Sequence, residues 1–370
     1  MRAGPSVLRR RGAGVGGSGD HAGIDIGRTW SQTPQAATPA EFLAHVRAGR
    51  VAAHGDQGSA AKWAHAAMAL AVRSLGRGDE DTPPDPAAVL TMLERVMVEG
   101  DARSGADGND LGPADARAVL RAWLDAVELD MDERDLVAHL QADGFTHAGL
   151  ERRARRCHER RLATAVRRLH TADDLLETAS AIFEACVAAL PYAPAGAFLS
   201  RERDRISSRD GHPTRVGVVA DGLSAVHGVS RTLAELRERG VQGFEVEVIG
   251  TDACVDRRLS SVAELEVPYS GLTMGVPSVP AVVDALTEGR YHLLHVCTPG
   301  PAGAAALLTA RLLGLPVAGS HHTELEAYAA LRAGDPLLAA GVRAALAAFY
   351  GQCRVVLSPS ETADRGLLDL

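Results

Sequence analysis

From residue 215 to the end of the chain, short apolar runs alternate with amphipathic stretches. The runs at 216–220, 244–249, 292–297, 316–319 and 355–357 are too short for helices and have the β-branched and aliphatic character of buried strands. Between them lie helical patterns at 230–239, 279–288, 302–313, 325–331 and 337–350, the first ended by Gly240. Strand–helix alternation of this kind predicts a parallel sheet with helices on both faces.

The pattern upstream is different. Residues 1–17 show no periodicity and are expected to be disordered. In 18–76, Thr38, Pro39 and Glu41 have the spacing of a capped helix start, which predicts a helix to about residue 49; a second helix is expected over 59–75. A Pro/Asp/Gly stretch, 78–86, reads as a linker. The following 86–192 is nearly all helical in pattern. Leu90, Leu93, Val96 and Met97 fall on one face, and Asp132 and Thr171 are candidate caps. The polar segment 193–213 reads as another linker. The expected division is therefore a tail (1–17), a small α/β piece (18–76), an all-α connector (77–192), a linker (193–213) and an α/β domain (214–370).

Composition narrows the function classes. The net charge is −8, which excludes a general nucleic-acid binder. The five cysteines are scattered, with no Cys-x-x-Cys pair, so neither a zinc site nor a disulfide framework is signalled. That usage fits a reducing, cytoplasmic compartment. No apolar run is long enough to span a bilayer, at about 18 residues.

Ligands of such α/β folds bind beyond the carboxyl ends of the strands. Three segments lie there. The first is the loop after residue 221, with Gly228, Val229 and Ser230 opening the next helix, whose unpaired N–H groups suit an anion. It is not the dinucleotide Gly-x-Gly-x-x-Gly pattern. The second runs from His295 through Gly300, a strand end followed by a Gly/Pro turn and a helix. The third is Ser320-His321-His322-Thr323-Glu324, two imidazoles and a carboxylate at a strand's end.

Together these stretches carry a resemblance. "RVGVVADGLSAVHGVSRTLAELRERG", "HLLHVCTPGPAGAAALLTARLLGLPVAGSHHTELEAYA" and "FYGQCRVVLSPSETADRGLLDL" are similar to the first half of family-4-type glycosyltransferases with the GT-B architecture. The resemblance covers about 215–370. It implies a Rossmann-like domain and retaining transfer of a mannosyl or similar hexosyl group from a nucleotide-diphospho-sugar to a lipid or polyol acceptor, with no metal required. It places Gly228 close to donor phosphate or acceptor and His322 near the sugar and leaving diphosphate, with Thr323 and Glu324 in support. His321 departs from the family pattern, where an aromatic residue is usual. The family's second, donor-binding domain has no counterpart before Leu370. The resemblance therefore implies a one-walled cleft, inactive alone unless a second chain supplies the rest. The competing reading is a non-catalytic acceptor-binding or partner subunit.

Near the N-terminus, "SGDHAGIDIGRTW", "TPAEFLAHVRAGR" and "HGDQGSAAKWAHA" resemble the tail of a PHP-type phosphoesterase domain. There Asp20 and His21 stand where that family has an Asp-x-His metal motif, but they are adjacent. The earlier ligand motifs are missing, so a divalent metal would matter only if this remnant were active. The Arg-rich helix at 151–168 reads first as a solvated face. Its alternative is peripheral contact with an anionic membrane at the inner face.

Overall fold

The computed structural model describes residues 14–75, 113–169, 175–206, 213–223, 228–267, 272–322 and 336–368. The apolar face at Leu90–Met97, the linker at 78–86, the Thr171 cap, the helix at 325–331, Thr323 and Glu324 lie outside the described residues.

In chain order the elements are β1 (Thr29–Gln32), α1 (Pro39–Arg47), β2 (Ala52–Gly55), α2 (Ala60–Leu75), α3 (Pro113–Ala126), α4 (Asp135–Gln141), α5 (His147–Leu169), α6 (Leu175–Val187) and α7 (Tyr192–Ile206). Then follow β3 (Thr214–Val219), α8 (Gly228–Arg239), β4 (Phe244–Gly250), β5 (Arg257–Arg258), β6 (Ser261–Val267), β7 (Leu272–Pro277), α9 (Val279–Gly289), β8 (Leu293–Val296), α10 (Pro301–Leu313), β9 (Val317–Ser320), α11 (Pro336–Tyr350), β10 (Val355–Leu357) and α12 (Glu361–Leu368).

The chain forms two compact units. One comprises 1–92, 108–154 and 190–209; the other comprises 93–107, 155–189 and 210–370. In the first, β1 and β2 pair antiparallel around α1. Thr38 caps α1 by accepting from the Glu41 N–H, and the Glu41 carboxylate reaches back to the Ala37 N–H. Asp132 accepts from the Arg134 and Asp135 N–H groups at the start of α4. Trp123, Leu124, Leu136 and Leu140 are fully buried in this unit. The stretch read as a linker, 193–213, is helical through Ile206. Its charged end hides a small-residue face, of which Ala193 and Ala197 are buried.

The second unit holds a six-stranded sheet in the order β10-β9-β8-β3-β4-β5, parallel throughout. The predicted strands of this region are present, as are the predicted helices that fall within the described residues. The structure adds a two-stranded antiparallel hairpin, β6–β7. It packs on the buried Leu162 and Val166 of α5 and Ala185 of α6. Chain order reverses between β3 and its neighbour β8, since β4 lies on β3's other side. That switch point opens a crevice at the strands' carboxyl ends. One face of the sheet, with Val216, Val218, Val248 and Cys297, is covered by α8 through Leu233 and Leu236.

Candidate functional site

A groove of about 460 Å³ lies at the carboxyl ends of β8, β9 and β10, walled by α8. Register explains which side chains reach it. His295 pairs with Ala318 and with Val218. Because side chains alternate along a strand, His295, Cys297, Ser320 and His322 all point to the α8 face. His321 points the other way. It is buried against the Tyr350 ring of α11, with centroids 5.5 Å apart at 84°, and its N–H donates to the Leu357 carbonyl. The adjacent imidazoles are thus separated by the sheet itself: His322 is exposed in the groove and His321 is core.

On the groove floor, His295 Nε2 is 2.7 Å from Ser320 Oγ and 3.9 Å from Cys297 Sγ. Burial, and then the neighbouring His322, hold His295 below the usual imidazole value; burial, and then His321, do the same to His322. Both rings are therefore neutral at pH 7, able to donate and accept. Burial pushes the Cys297 thiol up to about 12, so it is no nucleophile at neutral pH. Val229, Leu233 and Leu236 give the α8 wall an apolar surface, with Glu235 and Arg239 at its far end.

Gly228 is the first residue of α8, and Val229 lines the groove. The Ser230 hydroxyl donates to the Leu223 carbonyl at 3.4 Å. Gly300 lies elsewhere. It is the residue before α10, and a Cβ there would sit 2.6 Å from the Asp221 carboxylate. Asp221 fills the N-terminus of α10, accepting from the Ala302 N–H (2.7 Å), the Gly303 N–H (3.1 Å) and the Thr298 hydroxyl (2.9 Å). Burial raises its pKa against the pull of these donors. Cys297 and Asp221 were given no role from sequence, and Ser320 only a place in the third segment. The two-residue spacing of Ser320 from His322 and of Cys297 from His295 was the available signal.

The phosphoesterase-like segment does not fit a metal. Both Asp20 oxygens are occupied by backbone donors, Oδ1 by the Ala22 and Gly23 N–H groups and Oδ2 by that of Asp25. Burial opposes them, but these bonds hold its carboxyl below the usual range. His21 is exposed. Among the described residues no group of three or more His, Cys, Asp or Glu side chains could hold an ion. In the Arg-rich helix, Arg153 Nε donates to the Val127 carbonyl in the first unit, and Arg155 pairs with Glu159 and Asp284 at 3.0 Å in the second. Among the described residues no single helix is long and apolar enough to cross a membrane.

Residues 226–370 match the model of Glycosyltransferase Family 4. This span includes every residue that lines the groove. The chain is also 26% identical over 178 residues to the GDP-mannose-dependent alpha-mannosyltransferase of Corynebacterium glutamicum, which covers 43% of this chain and 42% of that protein. The chain thus spans less than half the length of this relative. No solved structure matches the chain. The C-terminal unit is accordingly a Rossmann-like α/β domain bearing the family-4 match.

Proposed function

We propose that the C-terminal unit contributes the acceptor-side wall of a glycosyl-transfer site. The reaction is transfer of a hexosyl group, mannosyl-like by analogy with the relative's GDP-mannose dependence, from a nucleotide-diphospho-sugar to a lipid or polyol acceptor. The observation that carries this is the convergence of His295, Ser320 and His322 under α8 within the family-4 segment.

Cleaving the donor bond builds negative charge on the diphosphate. The N–H groups opening α8 and the helix dipole suit that charge. A neutral His322 donates a hydrogen bond to the leaving diphosphate without first giving up a proton. The Ser320–His295 pair holds the acceptor hydroxyl from the groove floor, so that attack is oriented. The apolar wall of α8 receives the acceptor's hydrocarbon part. Thr323 and Glu324 remain in the proposal as support for His322.

The test is transfer of labelled hexose from GDP-mannose or another nucleotide-diphospho-hexose to extractable lipid or to polyol. It is run with the purified chain alone and with added cell extract as a source of a second chain. Replacing His322 by Ala is expected to lower transfer about 100-fold, the usual cost of one transition-state donor. Equal transfer by wild type and H322A would remove the groove from the reaction.

A further inference from the structure

In the N-terminal unit, four buried side chains from four separate segments are joined end to end. Tyr192 Oη lies 3.0 Å from His65 Nε2, His65 Nδ1 lies 2.8 Å from His147 Nδ1, and His147 Nε2 lies 2.8 Å from Asp25 Oδ1. All are nearly inaccessible, His65 completely. Lys62 and Arg28 each approach the Asp25 carboxylate to 3.6 Å. Phe145 packs edge-on against both imidazoles. His139 of α4 and Glu151 of α5 are the further charged or titratable groups acting on the chain.

The direction of every bond follows from chemistry. A carboxylate only accepts, so His147 donates from Nε2. With neither ring carrying an extra proton, His147 Nδ1 must accept, His65 Nδ1 must donate, and His65 Nε2 must accept the Tyr192 proton. Every polar atom in the row is then satisfied. An added proton on His147 puts hydrogens on both facing Nδ1 atoms, and one on His65 Nε2 turns the Tyr192 bond around and strands the hydroxyl proton. It also adds positive charge where Lys62 and Arg28 already face one carboxylate. We propose that Tyr192, His65, His147 and Asp25 form a one-way hydrogen-bonded latch that holds the N-terminal unit shut, and that protonation releases it.

The sign is consistent. Burial, then His147 and His139, lower His65 from 6.5 to about 3. A histidine depressed on folding contributes stability that is whole above pH 6.5 and is lost as pH falls toward 3. Between pH 7.5 and 5 the unfolding equilibrium constant of this unit should rise about 30-fold. All three tryptophans, Trp30, Trp63 and Trp123, lie in this unit, so their emission reports on it selectively in the full-length chain.

Two measurements decide the matter. Long-range proton–nitrogen spectra of histidine-labelled protein at pH 7.5 should show His65 as the Nδ1–H tautomer and His147 as the Nε2–H tautomer; the reverse tautomers, or an imidazolium at either, overturn the latch. Urea unfolding followed by tryptophan emission should show the 30-fold rise in wild type. It should be largely abolished in His65→Gln, whose amide can replace both bonds without titrating. An equal rise in both proteins overturns the proposal. Should His65→Gln not fold, Tyr192→Phe removes the acceptor's partner and should move the acid transition to higher pH, and an unmoved transition overturns it as well.

Discussion

Gly303 and Gly341 both lie inside helices, yet they should respond oppositely to the same methyl group. A Cβ at Gly303 would meet the Thr298 carbonyl oxygen at 2.0 Å, a backbone atom that cannot turn aside; Gly341 has nothing within 4 Å. Gly303→Ala is expected to cost the C-terminal unit about 3 kcal/mol, and Gly341→Ala to gain about 0.4–1 kcal/mol. Thermal unfolding of the two variants checks the contrast. The groove histidines give a second residue-scale expectation. His295 and His322 should titrate below the free imidazole value of about 6.5 when followed by NMR, because burial and a neighbouring ring both disfavour their charged forms. A titration of His322 at or above that value would contradict the neutral donor on which the proposed transfer depends.

Among the elements, the joint made by His158 is the most informative. Its ring is fully buried. Nδ1 donates to the Ala185 carbonyl of α6 at 2.7 Å, and Nε2 accepts the Val279 N–H that opens α9 at 3.1 Å. Burial outweighs the Ala185 and Glu159 contributions and lowers its pKa. His158→Leu leaves a buried donor and a buried acceptor unpaired, at about 1–3 kcal/mol each. It should destabilise the C-terminal unit measurably in urea, and it should flatten that unit's loss of stability below pH 6.5. The helices so joined were legible in the sequence as helices but not as part of the α/β unit. Periodicity reports which face is apolar, not what covers it. The β6–β7 hairpin escaped for another reason. Ser261–Val267 alternates polar and apolar residues, the mark of a half-exposed antiparallel strand, in a region read for continuous apolar runs. The parallel strands were plain because they are buried on both faces. At the site, position after a strand pointed to His295 and His322. Strand parity, which tells His322 from His321 and brings in Ser320 and Cys297, emerges only once the register is known. Gly300 shared the position but faces Asp221.

At the scale of the molecule, the two units carry separate reporters. The tryptophans are confined to one, and Cys157, Cys186, Cys254, Cys297 and Cys353 to the other. Substitutions should therefore sort by channel: His65→Gln moves the tryptophan-detected transition, and Gly303→Ala the thiol-accessibility transition, since each lies in the unit its reporter marks. A shift of both signals by either change would show the units unfolding as one.

Asp221 makes the protein its own guest. A helix mouth at the edge of this sheet would welcome a phosphate, and at α10 the chain has seated a carboxylate there instead. The mouth of α10 is thus closed by occupancy. The route to a second anion pocket is correspondingly short, because it begins with losing a side chain. Asp221→Gly should weaken the fold in chloride buffer and recover it in millimolar phosphate, a chemical rescue in which the solvent returns the lost anion.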